Sequence, residues 1–123
     1  MPGKKKILIV EDEEINRELL NIFLSKDYSL TFADHLEAAT HALNEHEFQL
    51  IITDIRLADR LDGIEVLKHT RSSVLNKGTC VVAYTASDTS INQRSYAEEG
   101  FDGFISKPIQ QDILLKKVAA IIG

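Results

Sequence analysis

"LIVEDEEIN", residues 8–16, passes from three apolar side chains to four consecutive carboxylates, Glu11, Asp12, Glu13 and Glu14. Extended back to Ile7, the apolar part has the length and composition of a buried strand. From Ile15 onward, apolar residues return at helical spacing. The same alternation runs through the chain. Short apolar runs at Tyr28–Ala33, Leu50–Thr53, Cys80–Tyr84 and Phe104–Ile105 predict four more strands. Between them, Ile15, Leu19, Ile22 and Phe23 predict the apolar face of a first helix, Leu36, Ala39 and Leu43 a second, and Ile64 and Leu67 a third. A fourth, near Ser90–Glu99, is the poorest in apolar residues. The last places Ile109, Ile113, Leu114, Val118, Ile121 and Ile122 on one side, with Pro108 at its entry, where a missing N–H costs little. A parallel connection needs a crossover, and helices are the usual crossover. The predicted fold class is therefore α/β, a five-stranded parallel sheet doubly wound with five helices, and the order expected for it is the flavodoxin-like one of such sheets, 2-1-3-4-5.

At 123 residues the chain makes one domain, 1–123, with residues 1–4 read as a start outside the folded unit. Hydrophobic content of 44% against 27% charged residues supports a packed core without staples. Cys80 is alone, so it forms no internal disulfide, and its place in "TCVVAYT" reads as a buried strand thiol. That suits a reducing compartment, with the cytoplasm as the default. No apolar run approaches the roughly 18 residues of a membrane span, and "MPGKKKILIV" is too short in apolar residues for a signal peptide. A net charge of −5 repels a phosphate backbone, so direct nucleic-acid binding is not expected. Lys4, Lys5 and Lys6 read as a solvated strand end.

Carboxylates about 5 Å apart repel by ~3 kcal/mol at an effective dielectric of 20, so the acidic exit of the first strand needs an explanation. In a parallel sheet every strand's carboxyl end lies on one rim, and ligands bind where the strand order reverses. The strand ends supply Glu11 and Asp12, then Asp54, Thr85 and Lys107. In the order 2-1-3-4-5 these fall around Asp54. Three carboxylates and an ammonium on one rim make half of a hard-cation site, for which Mg²⁺, with its preference for oxygen ligands, is the expected ion. Glu13 and Glu14 have a simpler role, favourable charge at a helix start.

These residues carry a resemblance. The acidic pair "ED" at Glu11–Asp12, Asp54 in "IITDIRL", the Thr85 hydroxyl of "YTA", and Lys107 before Pro108 in "FISKP" are similar to the motif set of response-regulator receiver domains of two-component phosphorelays. The likeness runs from about Lys5 to the C-terminus. It implies that Asp54 accepts a phosphoryl group from a phosphohistidine on a sensor histidine kinase or phosphotransfer protein, in a signalling domain rather than a true enzyme. It implies that Asp12, Asp54 and the carbonyl of Arg56 hold Mg²⁺ (or Mn²⁺), with Glu11 acting through water. Lys107 and Thr85 would contact phosphoryl oxygens, and Thr85 and Phe104 would switch the surface of the fourth helix, fifth strand and fifth helix. Arg56 and Ser87 would tune the lifetime of the phosphate. The Lys107–Pro108 bond would be cis, although sequence alone favours trans. A phosphorylation-dependent dimer through the fourth and fifth helices would follow by analogy.

Departures and duller readings stand beside this. Where most of the family has Met-Pro followed by Asp-Gly, this chain reads "DIRLADRLDG", with no proline and one extra residue before Gly63. A Mg²⁺-dependent phosphatase or phosphotransferase also uses a strand-end aspartate, but normally has an acidic residue two positions on, where this chain has Arg56. A flavin module would need a glycine- and hydroxyl-rich loop after the first strand, the electrostatic opposite of "EDEEIN". His35, His41, His46 and His69 lack zinc-ligand spacing, and Asp54, Asp59 and Asp62 lack that of a calcium loop. Both a stand-alone regulator and a receiver from a hybrid sensor kinase fit the sequence.

Overall fold

The protein is described by a computed structural model that covers residues 3–57, 62–86 and 90–123. Five strands, β1 (Lys5–Val10), β2 (Tyr28–Ala33), β3 (Leu50–Asp54), β4 (Cys80–Thr85) and β5 (Gly103–Ser106), alternate with five helices. The helices are α1 (Glu14–Leu24), α2 (Leu36–Glu45), α3 (Asp62–Ser72), α4 (Ser90–Glu99) and α5 (Gln111–Ile122). All pairings are parallel, as the alternation predicts, and the order is β2-β1-β3-β4-β5, that of the expected flavodoxin-like fold. No helix among the described residues is long and apolar enough to cross a membrane.

Because successive strand side chains point to opposite faces, each strand feeds two cores. Leu8, Val10, Ile51, Val81 and Ala83 pack on one face with Ala39 and Leu43 of α2 and Val66 and Leu67 of α3, and Tyr96 of α4 leans against this cluster. Ile7, Ile9, Leu50, Ile52, Val82, Tyr84 and Ile105 pack on the other with Leu20 and Leu24 of α1 and Leu114 and Val118 of α5. Each fully buried Leu or Ile side chain contributes about 1.5–3 kcal/mol of transfer free energy. The continuous apolar character of β3, buried at all five positions, follows from its central place with helices on both faces.

Two helix faces differ from expectation. On α1, Ile15 and Ile22 are 72% and 67% exposed, whereas Leu20 and Leu24 are fully buried. Apolar residues cover about half of this helix's circumference, wide enough for two stripes at a period of three or four, and the sheet selects the Leu20–Leu24 stripe. On α5 the buried stripe narrows to Leu114 and Val118, leaving Ile113 and Ile121 exposed while Ile109 and Ile122 pack at the edge of the core. Pro108 is not at the first helical position either: α5 starts at Gln111 behind the N-cap Gln110, and the Lys107–Pro108 peptide is cis.

At the amino-end rim, the turn between α3 and β4 is tied down by Asn76, which is fully buried. Its amide donates to the carbonyls of Leu43 (2.9 Å) and His46 (2.8 Å), and its Oδ1 accepts from the Phe48 N–H (2.8 Å) and the Thr79 hydroxyl (3.3 Å).

Candidate functional site

Strand phase and register build the opposite rim. In β3, Asp54 is in phase with Leu50 and Ile52, and it pairs with Tyr84 of β4, which is in phase with Val82. Tyr84 pairs with Ile105 of β5. Glu11, one residue past β1, continues the phase of Ile7 and Ile9, and its N–H donates to the Ala33 carbonyl at 3.0 Å. Lys107, one residue past β5, continues the phase of Ile105. Glu11, Asp54, Tyr84 and Lys107 thus form a row across β1, β3, β4 and β5 on the α1/α5 face. Thr85 and Phe104 have the other phase, on the face of α2, α3 and α4.

Within the row, Lys107 Nζ lies 2.6 Å from Asp54 Oδ2 and 3.5 Å from Glu11 Oε2. Asp54 Oδ1 accepts the Arg56 N–H at 3.1 Å. Asp54 is 6% exposed and Glu11 is fully buried. Glu11 Oε1 accepts from the Glu13 N–H (3.1 Å) and from the Asn16 amide (3.2 Å), while Oε2, also buried, has no hydrogen-bond partner among the described residues. Burial, and then the charge of Asp54, push the Glu11 carboxyl up to about 7, against the opposing pull of Lys107 and the Asn16 hydrogen bond. Burial works against the Lys107 ammonium, but the hydrogen bond and charge of Asp54, with the charge of Glu11, outweigh it and raise the amine above its ordinary range.

Asp12, exposed, completes the acidic set: Glu11, Asp12 and Asp54 can each turn one oxygen to within 4.8 Å of the others. A desolvated carboxylate oxygen whose one cation, the Lys107 ammonium, stands 3.5 Å away and is shared with Asp54, beside two further carboxylates, suits an oxygen-seeking dication, so this donor set fits Mg²⁺ chemistry. Four of the predicted residues, Glu11, Asp12, Asp54 and Lys107, are therefore gathered at one place. Arg56 joins them through its backbone N–H, and its side chain is exposed. Thr85 is buried at the end of β4, and its carbonyl accepts the Lys107 N–H at 3.0 Å. Phe104 is half-buried against Tyr96 of α4, with ring centroids 6.2 Å apart. Ser87 lies outside the described residues, as do positions 58–61 of the unusual loop.

Sequence reasoning missed three supports. Asn16 holds Glu11, and the Arg17 guanidinium donates to the Glu11 carbonyl at 3.0 Å. Their placement at the start of α1, five and six residues past Glu11, was the available signal. The third is Gly63. Its N–H donates to the Ile55 carbonyl at 3.0 Å, and a Cβ there would overlap the Asp54 carbonyl oxygen and fall 2.6 Å from the Ile55 Cα. Only glycine lets α3 approach the strand end that carries Asp54 this closely.

Known proteins share this architecture. The receiver domain of a Pseudomonas aeruginosa PAO1 sensor histidine kinase, solved with a magnesium ion coordinated in its active-site cleft, superposes with a TM-score of 0.87 at 21% identity, covering 98% of this chain and 99% of that one. A Vibrio cholerae chemotaxis response regulator superposes with a TM-score of 0.88 at 22% identity, covering 97% and 99%. Hybrid signal transduction histidine kinase A of Dictyostelium discoideum is 33% identical over 111 residues, 86% of this chain but 5% of that protein. The Bacillus subtilis transcriptional regulatory protein ResD is 30% identical over 121 residues, 98% of this chain and 49% of that protein. The chain thus spans half or less of these two curated relatives. The family model described as response regulator receiver domain matches residues 7–119, and with the strand order and acidic rim in place, the chain belongs to the response regulator receiver domain family.

Proposed function

We propose that Asp54 is the phosphoacceptor of this cytoplasmic signalling domain, taking a phosphoryl group from a phosphohistidine on a sensor histidine kinase or phosphotransfer protein. The observation that carries the reading is the pairing of buried Asp54 with Lys107 at 2.6 Å, beside a buried Glu11 oxygen that meets the same ammonium only at 3.5 Å. One Asp54 oxygen forms the new O–P bond as the N–P bond to the donor imidazole breaks, and the departing imidazole takes up a proton. The Arg56 N–H fixes the carboxylate plane, which aligns a weak nucleophile. Lys107 exchanges Asp54 for a phosphoryl oxygen as charge develops there, and the Thr85 hydroxyl donates to another. Asp12, Asp54 and the Arg56 carbonyl would hold Mg²⁺, with Glu11 reaching it through water. Bound there, the ion offsets the carboxylate repulsion and neutralises phosphoryl charge. Thr85 and Phe104 carry the change to the surface of α4, β5 and α5, where Phe104 already meets Tyr96. The product is a lasting acyl phosphate, so the domain acts as a switch and not as a turnover enzyme.

Acetyl phosphate with Mg²⁺ should add one phosphoryl group to the wild type and none to Asp54→Asn, as read by intact mass; modification at another residue overturns the assignment. Titration of Asp12→Ala should show markedly weaker Mg²⁺ binding, and an unaltered constant removes that ligand. Beryllofluoride, which resembles a phosphoryl group on a carboxylate, should shift backbone resonances around Phe104 and α4.

A further inference from the structure

We propose that Tyr84 is a positioning residue for the reaction at Asp54: its buried ring is the platform over which the Lys107 side chain crosses β4 to reach the carboxylate. The inference rests on the phosphoacceptor reading above and adds a residue to it. Lys107 follows β5 and Asp54 ends β3, and these strands are not neighbours, because β4 lies between them. With strands about 4.8 Å apart, the side chains of Lys107 and Asp54 together must bridge roughly 9.6 Å across the sheet, most of it covered by the longer lysine. The residue of β4 in register with Asp54 is Tyr84, which is also in register with Ile105, two positions before Lys107 and on the same face. The side chain therefore passes over Tyr84, and Lys107 Nζ stands 4.6 Å from the centre of the ring. An ammonium on an aromatic face is attracted by the ring quadrupole, more strongly when both are shielded from water. Here Tyr84 is 1% exposed and the Lys107 side chain 17%.

The platform answers a problem of choice. Lysine carries its charge on a flexible four-carbon stem, and two carboxylates compete for it, Asp54 at 2.6 Å and Glu11 at 3.5 Å. Closed from below by the ring, the ammonium rests nearer Asp54, where a phosphoryl oxygen would arrive. The Tyr84 hydroxyl is buried with no hydrogen-bond partner among the described residues. The ring, and not the hydroxyl, is thus what Lys107 uses, and phenylalanine should replace it.

The test uses the whole chain and three variants, Tyr84→Phe, Tyr84→Leu and Tyr84→Met, the last keeping an unbranched, adaptable bulk should leucine pack poorly. With lysine ¹³Cε labelling and no metal or phosphodonor present, the Lys107 Hε signals should be shifted upfield by the ring current in the wild type and Tyr84→Phe, and lose that shift in Tyr84→Leu and Tyr84→Met. With acetyl phosphate and Mg²⁺, and rates normalised to the folded fraction, Tyr84→Phe should stay within about twofold of the wild type. Tyr84→Leu and Tyr84→Met should fall by about tenfold, a size that a shielded cation–π contact can carry. A Tyr84 that only fills the core would lower stability in the latter two while leaving the normalised rate at the wild-type value, and that result overturns the proposal. So does an unshifted Lys107 signal in the wild type, or a Phe variant as slow as the Leu one. A wild type that shows the ring shift yet takes no phosphoryl group overturns the phosphoacceptor reading instead, and with it the role of the platform in that reaction.

Discussion

Asn76 at the amino-end rim and Glu11 at the carboxyl-end rim are both fully buried polar side chains, and they are served very differently. Asn76 places its amide on two carbonyls and its oxygen under two donors, and its own N–H donates to the Ser73 hydroxyl at 3.2 Å. Glu11 has two donors on one oxygen, on the other only the Lys107 ammonium 3.5 Å away and nearer to Asp54, and a second carboxylate in the same row. Burying a polar group without a partner costs about 1–3 kcal/mol, and a carboxylate costs more. The Asn76 rim therefore spends its polarity on closing a turn, whereas the Glu11 rim keeps an unfilled electrostatic demand that a dication can meet.

Substitutions should separate the two rims. The largest effect is expected for Gly63→Ala, because the added methyl overlaps the backbone of Asp54 and α3 must move away: a loss of about 4 kcal/mol or more in urea unfolding, together with weakened Mg²⁺ binding. A loss under about 1 kcal/mol would mean that α3 gives way freely. Next, Asn76→Ala should cost about 3 kcal/mol by taking their Asn76 partner from the Phe48 N–H and the His46 carbonyl and leaving the Leu43 carbonyl with the Ser73 hydroxyl alone, yet leave the Mg²⁺ affinity of the folded protein unchanged. A change in that affinity would break the separation.

Glu11→Gln should act in the opposite sense. A carboxyl whose folded-state value is raised binds its proton more tightly in the folded protein. Its contribution is therefore fully present below its ordinary value of 4.5 and is lost as pH rises through about 7. In chelator, the wild type should lose stability over that window, and Glu11→Gln should flatten the slope. At pH 8 the variant should be the more stable by about 2 kcal/mol, while binding Mg²⁺ more weakly. Equal pH slopes for the two proteins would show that Glu11 is not the strained group. The smallest effect is expected for Arg56→Ala. Arg56 is exposed two residues past Asp54, and on the proposed reading its guanidinium hinders water from attacking a phosphate on Asp54, so the variant's phosphate in Mg²⁺ should decay about threefold faster, a change of ~0.7 kcal/mol in barrier. An unchanged decay rate removes Arg56 from the account.

Much of this rim could be read from the chain because strand ends are local features. Apolar runs such as Leu50–Thr53 locate the carboxyl ends, and a parallel sheet sends all of them to one side, so Glu11, Asp12, Asp54 and Lys107 come together without knowledge of packing. What the chain did not disclose depends on relations between elements. The apolar residues of α1 fit two stripes, and only the docked helix shows that Leu20 and Leu24 face inward while Ile15 and Ile22 face out. Tyr84 looked like one more strand aromatic until register set it between Asp54 and Ile105. Gly63 stands out in sequence only as the end of a displaced Asp-Gly pair, and its meaning lies in how near α3 comes to β3. Asn76 likewise depends on three carbonyl or amide groups some thirty positions away in the chain.

Tyr84 and Thr85 are consecutive, and strand alternation turns them to opposite layers of the molecule: the first under Lys107, the second beside the face that holds Phe104 and Tyr96. Consecutive Cα atoms are only about 3.8 Å apart. A displacement of this short stretch of backbone therefore moves a side chain on each face of the sheet at once, since a single peptide link joins the two sides.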